Sequence, residues 1–400
     1  MDRPGNGADS KNMTRFILAL LLVLGTLRPV DAEQLSSKVG FFIDMPSGFS
    51  LKNGDGKTRY AFVDPEGGME YDILAYEPGR FADAATLASQ TVGKLGSAGD
   101  STPYSYEGRK AVLSELSFAL DGTKQKGYGL FIEGRKKAAG KGAVDEHSYA
   151  LLAYAPEADF AAYADFILSC LDSFSIDAAA RRSPGPVSQF TLEWPPSLDK
   201  VKMVTVVGGG QASLPWSEDE ASQEEQTDMR EYKVLTAYGN EPVLSLDAWA
   251  RFYRMAYRES AARLDRLALE TAKVVPTGDP TETARQVLAW VQGFVYERDE
   301  KGSDFIPPLT AAYGATGDCD SRAVVAAIIL ERLGVDAILM VSHEYSHAML
   351  GVDVPGGGQR FAFKGKKYLV GETTAKVGIG MVPADMADWS KWMGIDLGNN

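Results

Sequence analysis

The chain has 400 residues, 45% of them hydrophobic and 24% charged, which is the composition of a globular protein with room for two or three domains. Its formal net charge is −13 and no basic stretch interrupts the acidity, so a nucleic-acid-binding surface is not expected. The two cysteines, Cys170 and Cys319, are too few for a disulfide framework.

The N-terminus carries the pattern of an export signal. Arg15 precedes an apolar run over residues 16–24, which is too short to span a bilayer, and small residues follow at 30–32. This pattern predicts a secretory signal peptide over residues 1–32, and Met13 offers a second start codon. We therefore expect an exported protein, periplasmic or extracellular, with no membrane anchor after cleavage.

Residues 33–177 alternate apolar and polar side chains between glycine-rich turns, which is typical of strands with one buried face. Strands are predicted at 41–46, 48–51, 59–63, 69–76, 110–119, 127–133 and 147–154. Helical spacing is found at 82–95 and 157–171. This order resembles the Mog1/PsbP-like α+β sandwich, which implies a binding or docking module. No catalytic set is found here, and His147, in a predicted strand, is expected to be structural.

A region of different composition follows. Residues 178–189 are rich in alanine, arginine and proline, which predicts a linker. Residues 190–278 are then expected to form a bracing region, which begins with strands at 190–194 and 202–207.

The bracing region also contains predicted helices. Ser217 and Glu220 have the spacing of a capping box, so a helix is expected to begin there. The acidic run 218–228 is predicted to be a solvated face of that helix. Aromatic residues at helical spacing over 246–274 predict a second helix whose aromatic side chains belong to a core.

The most informative motif is Gly317-Asp318-Cys319-Asp320, followed by an apolar run that predicts a helix to about Leu333. His347 and Glu372 come later, each in or beside a predicted strand. A cysteine, a histidine and a carboxylate are the parts of a thiol nucleophile, its base and the group that orients the base. Because a helix N-terminus favours negative charge, we expect Cys319 to be a stabilised thiolate under an open cleft.

These motifs resemble the transglutaminase-like superfamily, in particular its bacterial cysteine peptidase-like members, over Asp279 to Pro383. The resemblance implies a papain-like core within residues 279–400, in which a helix bearing the nucleophile packs on an antiparallel sheet. It assigns Cys319 as nucleophile, His347 as base and Glu372 as the acid, where the family usually has aspartate. The expected fold class is α+β, with the sandwich followed by this core and its bracing helices.

The expected function is thiol-dependent acyl transfer, which here means hydrolysis of a peptide or amide bond without a cofactor or metal. The substrate would be a peptide or protein, including those of the cell envelope, and the oligomeric state stays open. The backbone N–H of Cys319 is one candidate oxyanion donor, and Tyr313 and Trp290 are candidates by family position. The main alternative is a noncatalytic scaffold that binds an envelope partner.

A zinc metallopeptidase is a second alternative, because residues 343–347 read His-Glu-Tyr-Ser-His and satisfy H-E-x-x-H, with Glu372 as a third ligand. That motif needs a helix, on which histidines four residues apart share one face. The apolar segments 335–341 and 349–354 instead predict two strands, so we expect the motif to lie in the connection between them.

Overall fold

The computed structural model describes residues 34–135, 146–238, 242–275, 278–298 and 303–397. The chain divides into two units, Met1–Ile176 and Asp177–Asn400. The predicted signal peptide lies outside the described residues. In the described ranges no helix combines the length and apolar character needed to cross a membrane.

The first unit is built around an antiparallel sheet of seven strands in the order β3-β4-β5-β9-β8-β7-β6, with β1 and β2 paired separately. Its strands are β1 (Gln34–Ser36), β2 (Phe42–Asp44), β3 (Ser50–Gly54), β4 (Arg59–Val63), β5 (Glu70–Tyr76), β6 (Ser101–Tyr106), β7 (Arg109–Leu120), β8 (Thr123–Ile132) and β9 (Ser148–Pro156). Its helices are α1 (Ala84–Leu95) and α2 (Phe160–Asp172).

Helices cover both faces of this sheet. Every residue of the central strand β9 except the last is buried, and successive side chains of a strand point to opposite faces. α1 packs its Leu87 against one face, next to Phe131 and Leu152. The edge strand β6 was not predicted from the sequence, because its mostly exposed side chains give no apolar alternation. His147 lies just before β9.

The second unit combines helices with a second antiparallel sheet, in the order β14-β15-β13-β12-β16, and a separate hairpin of β10 and β11. Its helices are α3 (Pro186–Thr191), α4 (Glu218–Thr236), α5 (Pro242–Ala261), α6 (Asp265–Thr271), α7 (Pro280–Val291), α8 (Pro308–Gly314) and α9 (Cys319–Arg332). Its strands are β10 (Lys200–Thr205), β11 (Gln211–Trp216), β12 (Ala337–Ser342), β13 (His347–Val352), β14 (Arg360–Phe363), β15 (Lys366–Gly371) and β16 (Met393–Ile395). The α+β class is therefore confirmed.

The helix α9 is the centre of the second unit. All residues from Ser321 to Leu330 are buried, as expected for a helix that is apolar on every side. One hydrophobic core joins α9 to helices from both predicted regions, for example through Phe252 of α5 and Leu288 of α7. Residues 190–278 and 279–400 thus fold as parts of one unit.

The segment predicted as a linker is folded into this unit. It contains a 3₁₀ turn at Ala180–Arg182 and the start of α3, whose Val187 and Ser188 are buried. The predicted strand at 190–194 is wrong, since α3 continues through Thr191. The physical reason is Pro186, which occupies the first turn of the helix and favours its start.

The helix α4 begins as predicted, with the side chain of Ser217 accepting a hydrogen bond from the backbone N–H of Glu220 at 3.3 Å. The prediction that its acidic run is a solvated face is confirmed for Glu218, Asp219 and Glu225, which are exposed. It is wrong for Glu220, Glu224 and Asp228, which are buried. Buried arginines offset part of this charge. The ion pairs are Arg251 with Glu231 at 2.8 Å, Arg266 with Glu220 at 2.8 Å and Arg263 with Glu220 at 3.6 Å.

Asp228 lacks such a partner: in the described part of the chain, neither of its carboxylate oxygens has a hydrogen-bond partner. Burial, together with the negative charges of Glu224, Glu259 and Glu231, raises the pKa of Asp228 well above its usual range. Between the unfolded-state pKa and the raised folded-state pKa, the folded protein therefore binds a proton at Asp228 that the unfolded chain releases.

Replacing Asp228 with asparagine, which cannot ionise, is expected to raise the free energy of unfolding at pH 8, because the wild-type carboxyl must take up a proton on folding or be buried with its charge. Each unit by which its pKa is raised is worth about 1.36 kcal/mol, so the expected gain is on the order of 1 kcal/mol or more. Since the folded-state pKa is raised, this carboxyl makes wild-type stability fall as pH rises above about 3.9. The variant loses that part of the slope, although Glu224, whose pKa burial raises to about 7, still contributes. Urea unfolding from pH 5 to pH 9 measures both effects.

The matched control is Glu225→Gln, an exposed position on the same helix, which should change stability by less than about 0.5 kcal/mol. An Asp228→Asn variant that is no more stable than wild type at pH 8 would contradict the assignment of Asp228 as an unpaired acid.

Candidate active site

Cys319 is the first residue of α9, as predicted. The preceding residue, Asp318, caps the helix, and its carboxylate accepts a hydrogen bond from the backbone N–H of Ser321 at 2.9 Å. Gly317 has φ +150°, a conformation that glycine adopts without strain, and a Cβ there would lie 3.0 Å from the Cβ of Ser321. This glycine lets the chain turn tightly into the helix that carries the cysteine.

The sheet brings His347 and Glu372 together. β13 and β15 are antiparallel neighbours, and Leu350 lies opposite Gly371. β13 starts at His347, and β15 ends just before Glu372. Because the two strands are antiparallel, these two points lie at the same end of the sheet. Nε2 of His347 lies 2.8 Å from Oε2 of Glu372, so the predicted convergence of these two side chains is confirmed.

The carboxylate of Glu372 is held by donors on both oxygens. Oε1 accepts hydrogen bonds from the backbone N–H and the hydroxyl of Thr374, each at 2.6 Å. Burial would raise the pKa of Glu372, but the contacts with His347 and Thr374 outweigh it and lower the pKa to about 2. The extra methylene of glutamate thus does not prevent this side chain from reaching the imidazole.

The thiol of Cys319 lies next to this pair but has other partners. Its Sγ donates a hydrogen bond to Oδ1 of Asp320 at 3.0 Å, and the backbone N–H of Ala348, the residue after His347, hydrogen-bonds the sulfur. No hydrogen bond joins Sγ to the His347 ring in the described structure. Ala348 follows His347 in β13. The sulfur therefore lies against the N-terminal end of β13, the end that carries the imidazole.

Two expectations about Cys319 are corrected by its surroundings. The residue is 4% exposed, so the sulfur is buried and not, as expected, open to solvent. Burial and the neighbouring carboxylates of Asp320 and Asp318 raise the pKa of the thiol, against the opposing effect of the Ala348 N–H. The N-terminus of α9 therefore does not give a stabilised thiolate here, because desolvation and two nearby negative charges dominate.

The two candidate side-chain oxyanion donors have other partners. The hydroxyl of Tyr313 donates to the backbone carbonyl of Pro215 at 3.2 Å, and Nε1 of Trp290 donates to the carbonyl of Thr205 at 3.0 Å. Both donors are directed to the β10–β11 hairpin, so Tyr313 and Trp290 position that hairpin and are not directed at an oxyanion. Of the three candidate oxyanion donors, only the backbone N–H of Cys319 is retained.

The H-E-x-x-H motif does not have the geometry of a zinc site. Residues 343–346 form the turn between β12 and β13, and His343 and Glu344 are exposed. The helix that would bring the two histidines to one face is not formed. The described chain places one group of three metal-capable side chains within 4.8 Å of each other, Asp318, Cys319 and Asp320. The thiol–carboxylate hydrogen bond already accounts for the contact between the last two.

Sequence reasoning missed two buried residues that position the site. The guanidinium of Arg322 donates to the carbonyls of Gly317, Phe294 and Thr373, at 2.9, 2.8 and 3.3 Å. The side-chain amide of Gln292 donates to the carbonyl of Glu372 at 2.8 Å. A polar residue in an otherwise apolar helix was the one signal available for Arg322.

Sequence reasoning also gave no role to Asp320, although it belongs to the quoted motif, or to Tyr253, which was assigned to a core. The Tyr253 hydroxyl donates a hydrogen bond to Oδ2 of Asp320. Because α5 lies about seventy residues before Cys319 in the chain, no local pattern could have indicated this contact.

Comparisons with known proteins leave the family open. No family model and no curated protein matches the chain. Among solved structures, the chain is similar to the solution structure of cyanobacterial PsbP (CyanoP) from Synechocystis sp. PCC 6803, with a TM-score of 0.28, 10% identity, and coverage of 39% of this chain and 98% of that one. A crystal structure from Bacteroides thetaiotaomicron VPI-5482 has a TM-score of 0.26 and 9% identity, covering 84% of this chain and 89% of that one. At these scores neither similarity decides the fold.

Replacing Glu372 with glutamine is expected to lower the free energy of unfolding at pH 7. The pKa falls from 4.5 to about 2 on folding, which corresponds to on the order of 3 kcal/mol at about 1.36 kcal/mol per unit. A depressed pKa stabilises the fold above the unfolded-state value and loses that effect as pH falls towards about 2. Denaturant unfolding of wild type and variant between pH 2 and pH 7 should show the difference shrink with acidification.

Glu344→Gln is the control, since this exposed glutamate pairs with Lys391 at the surface and should matter by less than about 1 kcal/mol. If Glu372→Gln is no less stable than this control at pH 7, the hydrogen-bonded carboxylate has been misassigned.

Proposed function

We propose that this protein is an exported thiol-dependent acyl-transfer enzyme that hydrolyses a peptide or amide bond. The observation that carries the proposal is the preformed His347–Glu372 pair, 2.8 Å apart, at the sheet edge where α9 presents Cys319. Since Nε2 is bound to the carboxylate, Nδ1 is the ring nitrogen that can take a proton from the thiol. Glu372 then stabilises the imidazolium that forms.

The chemistry differs from that of a resting thiolate. Because burial and nearby carboxylates keep Cys319 protonated, His347 removes the proton as the sulfur attacks the carbonyl. The thiolate forms an acyl-enzyme, and the imidazolium returns the proton to the leaving amine. Water then hydrolyses the acyl-enzyme with His347 as base. A backbone N–H at the start of α9 would stabilise the oxyanion.

Three parts of the proposal come from resemblance or from the sequence. The motifs around Cys319, His347 and Glu372 resemble the transglutaminase-like superfamily, and the helix-on-sheet arrangement of α9 is compatible with that core. The strand pattern of the first unit resembles the Mog1/PsbP-like sandwich, for which we propose a docking role. Export is proposed from the apolar run at residues 16–24.

Cys319→Ala and His347→Ala are each expected to reduce hydrolysis of fluorogenic peptide amides and of casein by at least about a hundredfold, the usual contribution of a nucleophile or general base. Cys170→Ala, which changes a fully buried cysteine of the first unit, should retain activity. Thermal unfolding of each variant verifies that it folds.

Activity that persists in Cys319→Ala would refute the thiol mechanism, and so would activity lost on chelation and restored by zinc. Folded wild-type protein with no activity on any peptide, amide or envelope substrate would instead favour the noncatalytic scaffold. The observation that favours this second function, the noncatalytic scaffold, is the buried and protonated thiol.

A further inference from the structure

One carboxylate, that of Asp320, is held between the nucleophile and a tyrosine of another helix. Sγ of Cys319 donates to Oδ1 at 3.0 Å, and the hydroxyl of Tyr253 donates to Oδ2. Tyr253 is 2% exposed and packs against Trp249 and Phe305, so its hydroxyl is directed by the surrounding rings. Two donors from different elements therefore fix the orientation of Asp320.

This arrangement determines where the thiol proton points. A thiol has a single hydrogen, and a hydrogen bond to Asp320 directs it away from the imidazole of His347. A carboxylate at this distance also disfavours the thiolate, because two negative charges would lie side by side. The Tyr253 hydroxyl acts in the same sense, since a hydrogen bond to the charged carboxylate holds it in place.

We propose that Asp320 is a latch on the nucleophile, holding Cys319 as an unreactive thiol, and that Tyr253 is the residue that positions this latch. Catalysis then requires the carboxylate to leave the sulfur. On release, the thiol hydrogen can be directed to Nδ1 of His347, which takes the proton as the sulfur attacks and becomes an imidazolium whose Nε2–H is bound by Glu372. The inference rests on the proposed function, because a latch regulates only a nucleophile that reacts.

Several other groups surround the sulfur and bear on the same proton. The carboxylate of Asp318, at the helix cap, acts in the same direction as Asp320. Positive or hydrogen-bonding groups oppose both. These groups are Arg298, Arg322 and the backbone N–H of Ala348. Asp320 differs from Asp318 in that it accepts the thiol hydrogen directly.

The test is the rate of Cys319 alkylation by iodoacetamide as a function of pH, read by mass spectrometry of the intact protein. Asp320→Asn should lower the midpoint of the pH profile by about one unit or more, the effect of removing an adjacent like charge. At pH 7.5 this corresponds to labelling about tenfold faster than in wild type. Asp320→Ala gives the same comparison if the asparagine variant fails to fold.

Asp318→Asn is the matched control, because it removes a carboxylate of the same helix terminus without breaking the contact to Sγ. A smaller shift than that of Asp320→Asn supports the latch. Equal shifts would show a general charge effect and overturn it, as would the absence of faster labelling in both Asp320 variants.

Tyr253→Phe tests the positioning role, since it removes the hydroxyl and retains the ring. It should accelerate labelling in the wild-type background and have no further effect in Asp320→Asn, which is the signature of two residues that act through one contact. A Tyr253→Phe effect of the same size in both backgrounds would mean that the tyrosine acts through packing and not through Asp320.

Alkylation needs no substrate, so it separates this inference from the proposed function. If hydrolysis depends on Cys319 and His347 but Asp320→Asn leaves the midpoint unchanged, the enzyme stands and the latch is wrong. If Asp320→Asn lowers the midpoint but no hydrolysis depends on His347, the thiol contact stands and the proposed function fails.

Discussion

The geometry of the site depends on one buried guanidinium. Arg322 lies on α9, one turn from Cys319, and is 2% exposed. Its N–H groups donate to the carbonyls of Gly317, two residues before the cysteine, of Thr373, which follows Glu372, and of Phe294 beyond α7. The helix α9, which carries Cys319, is therefore also hydrogen-bonded to the segment that carries Glu372. A buried charge is tolerated here because three carbonyl dipoles replace its hydration.

Burial has opposite effects on structure and on reactivity in this core. An apolar helix at the centre of the second unit is a stable arrangement, and Cys319 at its first position is buried with it. The same desolvation disfavours a thiolate, and the carboxylates of Asp318 and Asp320 add to the effect. By contrast, Glu372 stays ionised in a buried position because it accepts hydrogen bonds on both oxygens. The site thus contains a histidine already hydrogen-bonded to its carboxylate and a cysteine held as a protonated thiol.

The helices α4 and α5 contribute more than mechanical support. The carboxylate of Glu224 accepts hydrogen bonds from the backbone N–H of Leu309, in the first turn of α8, which leads into Gly317 and Cys319. Tyr253 of α5 contacts Asp320. These contacts explain why a helix pair containing so many buried charged groups belongs to the same core as the site. Of the buried acids of α4, Glu224 positions the start of α8 through these hydrogen bonds.

The sequence by itself determined the α+β class, the start of the cysteine helix and the helix cap at Ser217, whereas the pairing of His347 with Glu372 was expected from the family resemblance. The features read from the sequence follow from short-range chemistry, such as a capping side chain or an apolar period. The His347–Glu372 contact instead depends on the pairing of β13 with β15, which are not consecutive strands. Tertiary structure alone decided the burial of Glu220, Glu224 and Asp228 in α4, the folding of the predicted linker and the partners of Tyr313 and Trp290. It also decided the state of the thiol, because the largest cause of its raised pKa is burial, and that burial exists only when distant helices and strands pack around the start of α9.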